Sequence, residues 1–198
     1  MTGSLTLPAR LSTRHWILIA LGLVAVQIAA LFALGRVPIC TCGTVKLWQG
    51  VVNSSENSQH LFDWYTPSHV LHGVLLYAGL RLVFPNMPVM QRFALALGVE
   101  VAWEILENTP LVIERYRSGT ISLGYQGDSI VNSVADTIAM SFGFLLAARL
   151  PVLAAILFAV ALELVAGFFI RDNLTLNVLM LLHPLDSVRE WQAALPNR

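Results

Sequence analysis

The sequence predicts an all-α fold, a polytopic membrane bundle of about five transmembrane helices followed by a C-terminal interfacial helix. Hydrophobic residues make up 56% of the 198-residue chain and charged residues only 12%, whereas soluble domains carry about a quarter charged residues. A soluble chain of this length could not bury so much apolar surface. Because 12 Lys and Arg balance 12 Asp and Glu, the basic surface needed for nucleic-acid binding is missing, and we expect no nucleic-acid partner.

Five apolar stretches are long enough to cross a hydrocarbon core, which needs roughly 20 helical residues. The first follows Arg14 and is longer than the roughly 7–15 residues of a signal-peptide core, so we interpret it as a retained anchor. Pro67 suits the first turn of the second stretch, and Pro110 ends the third. The predicted spans are 16–34, 67–84, 89–109, 129–148 and 152–170, with long loops at 35–66 and 110–128.

The tail over 173–198 is expected to lie at the membrane interface, because its apolar residues recur at three- and four-residue steps. These residues are Leu185, Val188, Trp191 and Leu195. A cytoplasmic N-terminus places a group of loop arginines on the inner side without intervening acids; the group is Arg10, Arg14, Arg81, Arg92 and Arg149. The two long loops then lie outside, and we treat 1–198 as one integral membrane domain of open oligomeric state.

Ionisable side chains inside the predicted spans are candidates for function, because a charged group at mid-membrane costs at least about 2.5–3.5 kcal/mol. Steps of three or four residues place the candidates of each span on one helix face. At a rise of ~1.5 Å per residue, four of them lie ~7–10 Å from the same membrane face, namely His72, Glu104, Asp136 and Glu163. The sequence therefore predicts one shared pocket. Its candidate residues are His69, His72, Glu100, Glu104, Asn108, Asn132, Asp136 and Glu163, with Asp63 and Asp128 near helix starts.

One hypothesis is a metal-dependent hydrolase or transferase that acts on a lipid or lipid-linked headgroup. Buried acids cannot neutralise one another, so they need a metal ion, shared protons or a wet cavity. The predicted ligands of a Zn²⁺, Mn²⁺ or Fe²⁺ ion are His69, His72, Glu104 and Asp136. Glu100 is the predicted general base, and Asp136 takes part in catalysis as a ligand or bridge. The predicted supporting residues are Asp63, Asn108, Asp128, Asn132 and Glu163.

Two other functions stay open. The same acids and imidazoles could relay protons in an ion-coupled transporter, although the chain has no visible repeat and no acids at the other end of these spans. In a membrane assembly or metal-handling factor, Cys40 and Cys42 could bind Cu(I), and a disulfide or two inert thiols explain the pair equally well. Asp128 is also a candidate helix cap, and Glu163 a candidate structural partner across the bundle.

Three segments carry a family resemblance: DWYTPSHVLHG at 63–73, EVAWEILEN at 100–108 and GDSIVNSVAD at 127–136. They resemble an uncharacterised multi-pass bacterial membrane-protein family that carries a domain-of-unknown-function label, over about residues 40–170. More distantly, the order of acid and His, then Glu, then acids and amides is similar to VanZ-like membrane proteins. The resemblance implies a bacterial inner membrane and membrane lipids as partners. It implies no catalytic assignment.

Overall fold

The computed structural model describes residues 12–122 and 124–194. Within these ranges the chain forms eight helices and one pair of two-residue strands. The elements are α1 (Thr13–Ala33), β1 (Trp48–Gln49), β2 (Phe62–Asp63), α2 (Thr66–Val83), α3 (Val89–Glu107), α4 (Pro110–Gly119), α5 (Ile130–Ala147), α6 (Val152–Ile170), α7 (Leu174–Leu182) and α8 (Asp186–Ala193). The strands pair in parallel. Arg10 and Leu195, assigned above to the inner side and to the tail, lie outside the described residues.

The helices α2 and α5 form the most extensive contact of the bundle. Two glycines permit it: a Cβ at Gly73 would overlap the backbone of Met140 and Phe144, and a Cβ at Gly143 would overlap the backbone of Val70. The two backbones therefore touch directly. α1 packs on α3 and α5, and α6 packs mainly on α2.

The buried core lies on this helix pair and on α3. Phe144 is fully buried and meets the rings of Tyr77 and Phe93 edge to face, with centroids 5.2 Å and 5.4 Å away. Such aromatic pairs add about 0.5–1.5 kcal/mol beyond their buried area. The core cluster consists of Val74, Tyr77, Ala96, Leu97, Met140, Phe144 and Ala147.

All five predicted spans form helices whose ends lie within three residues of the predicted ones. By length and composition, however, three of the described helices could cross a membrane, namely α1, α5 and α6, which is fewer than the five predicted. His69, His72 and Arg81 make α2 less apolar, and α3 carries several charges. The two predicted spans that do not meet this criterion, α2 and α3, both carry residues of the candidate site. In the apolar windows of α1 and α6 only 11% of residues are buried, against 61% for α5, so α5 is the central helix.

The connections differ from the prediction in two places. The predicted loop at 110–128 contains α4, and the predicted single tail helix is two helices, α7 and α8. In α8, Trp191 is 46% exposed, whereas Gln192 is buried; the interfacial position of the tail stays a prediction. Gln192 is buried because its Nε2 donates to the carbonyl of Arg171 at 2.9 Å and to Asp172 Oδ1 at 3.2 Å.

Candidate functional site

Two imidazoles of α2 share one carboxylate of α3. His69 Nδ1 lies 2.8 Å from Glu100 Oε1, and His72 Nδ1 lies 3.1 Å from Glu100 Oε2. The three-residue spacing of the histidines puts them on one face of α2. An ionised carboxylate only accepts hydrogen bonds, so each Nδ1 carries a hydrogen. When a ring is neutral, its Nε2 has a free lone pair that can bind a metal ion.

Glu104, one turn after Glu100, is held by a different set of side chains. Its Oε1 lies 3.3 Å from His69 Nδ1, and Ser133 Oγ donates to its Oε2 at 2.6 Å. Gln27 of α1 is fully buried. It donates to Ser133 Oγ at 2.7 Å and accepts from Thr137 at 2.9 Å. Helices α1 and α5 therefore fix the position of Glu104.

Asp136 of α5 faces the other side of the His69 ring. Its Oδ2 lies 3.9 Å from His69 Nε2, and its Oδ1 accepts from Thr66 Oγ1 at 3.3 Å. Thr66 in turn accepts from the backbone N–H of Asp63 at 3.0 Å. Asp63 is buried and accepts from the N–H of Tyr65 at 2.7 Å, while burial raises the pKa of its carboxyl. Asp63 thus shapes the start of α2 and reaches Asp136 through one hydroxyl.

Asn108 and Asp128 form a reciprocal pair. Asn108 Nδ2 donates to Asp128 Oδ2, and Asn108 Oδ1 accepts from the Asp128 N–H, each at 2.7 Å. Tyr125 donates to Asp128 Oδ1 at 2.9 Å. Burial raises the pKa of Asp128 to about 6. The side chain that caps α5 is Ser129, which accepts from the N–H of Asn132. The structure therefore does not support the cap alternative for Asp128.

Asn132 is 1% exposed. Neither its Nδ2 nor its Oδ1 has a hydrogen-bond partner among the described residues. It lies four residues after Asp128 and four before Asp136, on the same face of α5. This amide is a buried donor and acceptor that has no partner among the described residues.

Glu163 is not brought to the candidate site. Its two carboxylate oxygens accept from the backbone N–H groups of Leu174 and Thr175 at 3.0 Å and 3.1 Å. A carboxylate at a helix N-terminus is favourable because it meets unpaired N–H groups and the positive end of the helix dipole. Glu163 therefore has a structural role, as one alternative had it, but its partners are backbone N–H groups of α7 and not the Ser or Arg side chain across the bundle that the alternative named.

A cavity of about 270 Å³ lies beside these residues. Its ionisable wall residues are His69, His72, Glu107, Asp128 and Asp136, and its aromatic ones are Tyr65, Trp103, Tyr116 and Tyr125. Leu174 and Val178 of α7 contribute apolar surface. No Lys or Arg lines it among the described residues. Glu100, Glu104 and Asn132 lie behind the wall rather than on it.

Sequence reasoning missed the tyrosine side of the cavity. Tyr65 donates to Asp172 Oδ2 at 3.3 Å, and Tyr116 donates to Asn177 Oδ1 at 3.2 Å. Burial raises the pKa of Tyr65 and of Tyr116 well above the usual value, so they remain hydrogen-bond donors. These residues lie outside the apolar spans, where the only signal was an aromatic residue among polar neighbours.

Comparison with known proteins gives the family. A family described as "Protein of unknown function (DUF2585)" matches residues 31–194. The chain belongs to this family. It is 59% identical over 184 residues to a UPF0314 protein of Sinorhizobium fredii, covering 93% of each chain. With a UPF0314 protein of Agrobacterium fabrum it shares 52% over 188 residues and 95% of each chain. No solved structure matches significantly.

Membership of the DUF2585 family confirms the predicted resemblance to a bacterial family with an unknown-function label. A further relative, a UPF0314 protein of Brucella anthropi, is 48% identical over 196 residues and is covered completely. These matches are bacterial proteins. The more distant VanZ-like resemblance stays a prediction.

Among the described residues of this DUF2585 member, three groups of side chains have the spacing of metal ligands: His69 with His72 and Glu100; His69 with Glu104 and Glu107; and Cys40 with Cys42, Glu56 and His60. Within each group, one ligand atom per residue lies within 4.8 Å of the others. His69 belongs to two of them, which makes it the centre of the predicted pocket.

The cysteine group is less suited to a metal ion. Cys40 and Cys42 form a disulfide, so neither sulfur is a thiolate ligand. His60 Nδ1 accepts from the N–H of Lys46 at 3.2 Å, and its Nε2 therefore carries the hydrogen that faces Glu56 at 2.9 Å. Neither ring nitrogen of His60 keeps a free lone pair, and the metal-handling alternative loses its support in this arrangement.

The stability of the protein is expected to fall as the pH rises from about 4 to 7, in part because of Asp172. Burial raises the pKa of this carboxyl from 3.8 to about 6, so its stabilising effect is complete below pH 4 and is lost through pH 6. A shift of this size corresponds to about 3 kcal/mol. Asp172→Asn should flatten the pH profile of chemical unfolding. Asp186→Asn, an exposed control on α8, should not, and equal profiles for the two variants would refute the assignment.

Proposed function

We propose that this protein is a multi-pass bacterial inner-membrane hydrolase or transferase that uses a divalent metal ion on a lipid or lipid-linked headgroup. The single observation that carries the proposal is the placement of His69, His72 and Asp136 on one cavity wall, with Glu100 behind both imidazoles. The ion we propose is Zn²⁺, Mn²⁺ or Fe²⁺, for which imidazole and carboxylate are suitable ligands.

The proposed ligands are the Nε2 atoms of His69 and His72 and the carboxylate of Asp136. This set is not one of the groups that already have ligand spacing, so these side chains would have to draw together around the ion. Two atoms bound to one ion at about 2.0–2.2 Å stand about 3–4 Å apart. The 3.9 Å between His69 Nε2 and Asp136 Oδ2 fits this spacing and is too long for a hydrogen bond. Glu100 would then orient both rings, as the carboxylates behind metal-bound histidines commonly do.

This arrangement changes two roles predicted from the sequence. Glu100 becomes a positioning residue instead of the general base, because both its oxygens accept from imidazoles. Glu104 is replaced as a ligand, since Ser133 holds it away from the cavity wall. Bound metal would supply a Lewis acid. Asp128 also lines the cavity, but its two oxygens accept from Asn108 and Tyr125, so it too is a positioning residue here.

The surroundings of the cavity support a lipid-linked substrate. Its polar base is joined to apolar surface from Trp103, Leu174 and Val178, and Val178 is 42% exposed at the bundle surface. A volume of about 270 Å³ suits a headgroup and not a whole lipid. We place the helices α1, α2, α3, α5 and α6 across the membrane with the N-terminus inside, so that the cavity opens towards the periplasm.

A proton-relay transporter fits less well. The sequence has no Asp or Glu between Asp63 and Glu100 or between Asp136 and Glu163. The half of the bundle opposite the cavity therefore lacks the acids that would extend a relay through the membrane. A pocket that occupies one half of the membrane suits a headgroup enzyme better.

Elemental analysis of the purified, detergent-solubilised protein after loading with Zn²⁺, Mn²⁺ or Fe²⁺ tests the proposal. We expect about one equivalent of ion in the unaltered protein, and its loss in His72→Ala and in Asp136→Asn. Glu104→Ala should keep the ion under the ligand set proposed here and lose it under the set predicted from sequence. The control is His183→Ala, an exposed histidine beyond α7. A metal-free unaltered protein would favour a proton relay or a purely structural network.

A further inference from the structure

The charges of the chain are divided between the two ends of the bundle. The sequence has no Asp or Glu before Glu56, and none between Asp63 and Glu100 or between Asp136 and Glu163. The end opposite the cavity is formed by the last turn of α2, the first turn of α3 and the end of α5. Its arginines include Arg81, Arg92 and Arg149. This end is therefore cationic, and no acid in the adjoining sequence can neutralise it.

Arg92 is the buried member of this group. Arg92 is 7% exposed. Its Nε and Nη1 have no hydrogen-bond partner among the described residues. Its guanidinium lies 5.5 Å from the centre of the Tyr77 ring, which attracts a cation but accepts no such hydrogen bonds. Residues 1–11 contain no acid either. A buried guanidinium with unpaired N–H groups is strongly unfavourable, so Arg92 needs an acceptor from outside the described residues.

Arg81 brings a second cation to the same tyrosine. Its Nη1 donates to the Tyr77 hydroxyl at 3.0 Å, and the residue is exposed. Two arginines on one phenol repel each other unless an anion lies between or beside them. The exposed Arg81 gives such an anion a route to the buried Arg92.

The start of α3 adds a third feature of an anion site. Its N-cap residue is Pro88, and no side chain caps the helix. The first N–H groups of a helix are unpaired and favour negative charge. In this helix the first turn carries Arg92 and no acid, an arrangement that an anion would stabilise.

We propose that Arg81, Arg92 and the N-terminus of α3 form a binding site for a phosphate group at the end of the bundle opposite the cavity. Guanidinium groups bind phosphate oxygens through paired hydrogen bonds, and lipid headgroups lie at the depth of these helix ends. The phosphate comes from an anionic phospholipid or from free phosphate. The site shares no residue with the proposed metal site, so a result that contradicts one proposal does not contradict the other.

Binding of two probes to delipidated protein in detergent tests the site: short-chain phosphatidylglycerol and inorganic phosphate, each titrated while bound ligand is measured by calorimetry. We expect saturable binding of at least one probe, weakened about tenfold or more in Arg92→Met and in Arg81→Met. Arg149→Met, which removes an exposed arginine from the same end, should change the affinity less than about twofold.

Binding of phosphatidylglycerol alone identifies a lipid ligand, and binding of inorganic phosphate with the same arginine dependence identifies a free anion. Arg92→Lys keeps the charge without the paired donors and should bind with intermediate affinity. Size-exclusion profiles of all variants report folding. Failure of both probes to bind, or equal affinity of the unaltered protein and Arg92→Met, would overturn the proposal.

Discussion

Gly73→Ala is expected to lower the free energy of unfolding by at least about 3 kcal/mol. The added methyl group would overlap the carbonyl of Met140 and the N–H of Phe144. These are backbone atoms of α5, so they cannot turn away as a flexible side chain could. The two central helices must separate, and the contacts between their faces weaken along the whole pair.

The matched control is Gly79→Ala on the same helix, where a Cβ would meet nothing within 4 Å. It should be neutral or stabilising by up to about 1 kcal/mol, because alanine favours helix more than glycine does. Denaturant unfolding in detergent measures this difference. Gly73→Ala should also lose bound metal, since His69 lies on α2 and Asp136 on α5. Equal unfolding midpoints for the two variants would contradict the close packing of α2 on α5.

The helices and many residues around the pocket could be predicted from the sequence, because both depend on local periodicity. Hydropathy located α1, α2, α3, α5 and α6, and three- and four-residue steps placed the candidates on single helix faces. Opposite directions of successive helices then gave a common depth. The structure brings His69, Glu100 and Asp136 together as this reasoning predicted.

What could not be predicted is which way each helix faces and which distant residue holds each acid. Glu163 has the right depth but caps α7, because depth along a helix says nothing of its rotation. Glu100 and Glu104 lie one turn apart on one face, and they differ because Ser133 approaches only Glu104. The helix α7, which adds apolar surface to the cavity, is short and lies in the tail. Hydropathy alone does not show where such a helix packs.

His69→Ala is the second substitution with a large expected effect, a loss of about 3–5 kcal/mol in stability. His69 is the side chain that meets three buried carboxylates, with distances of 2.8 Å to Glu100, 3.3 Å to Glu104 and 3.9 Å to Asp136. Removing it leaves these acids facing one another in a bundle where no arginine reaches them. Among the described carboxylates His72 meets Glu100 alone, so His72→Ala should cost about 1 kcal/mol. Both variants should lose bound metal.

A second substitution separates charge from packing in this result. If His69 acts by compensating acids, Glu104→Gln should recover part of the stability lost in His69→Ala, because it removes one of the unpaired carboxylates. If His69 acts by filling space, His69→Phe should restore stability instead, and Glu104→Gln should add its own loss. We expect recovery from the first change and none from the second, as measured by denaturant midpoints in a double-mutant cycle. The opposite pattern would make His69 a packing residue and would remove the electrostatic basis of the proposed metal site.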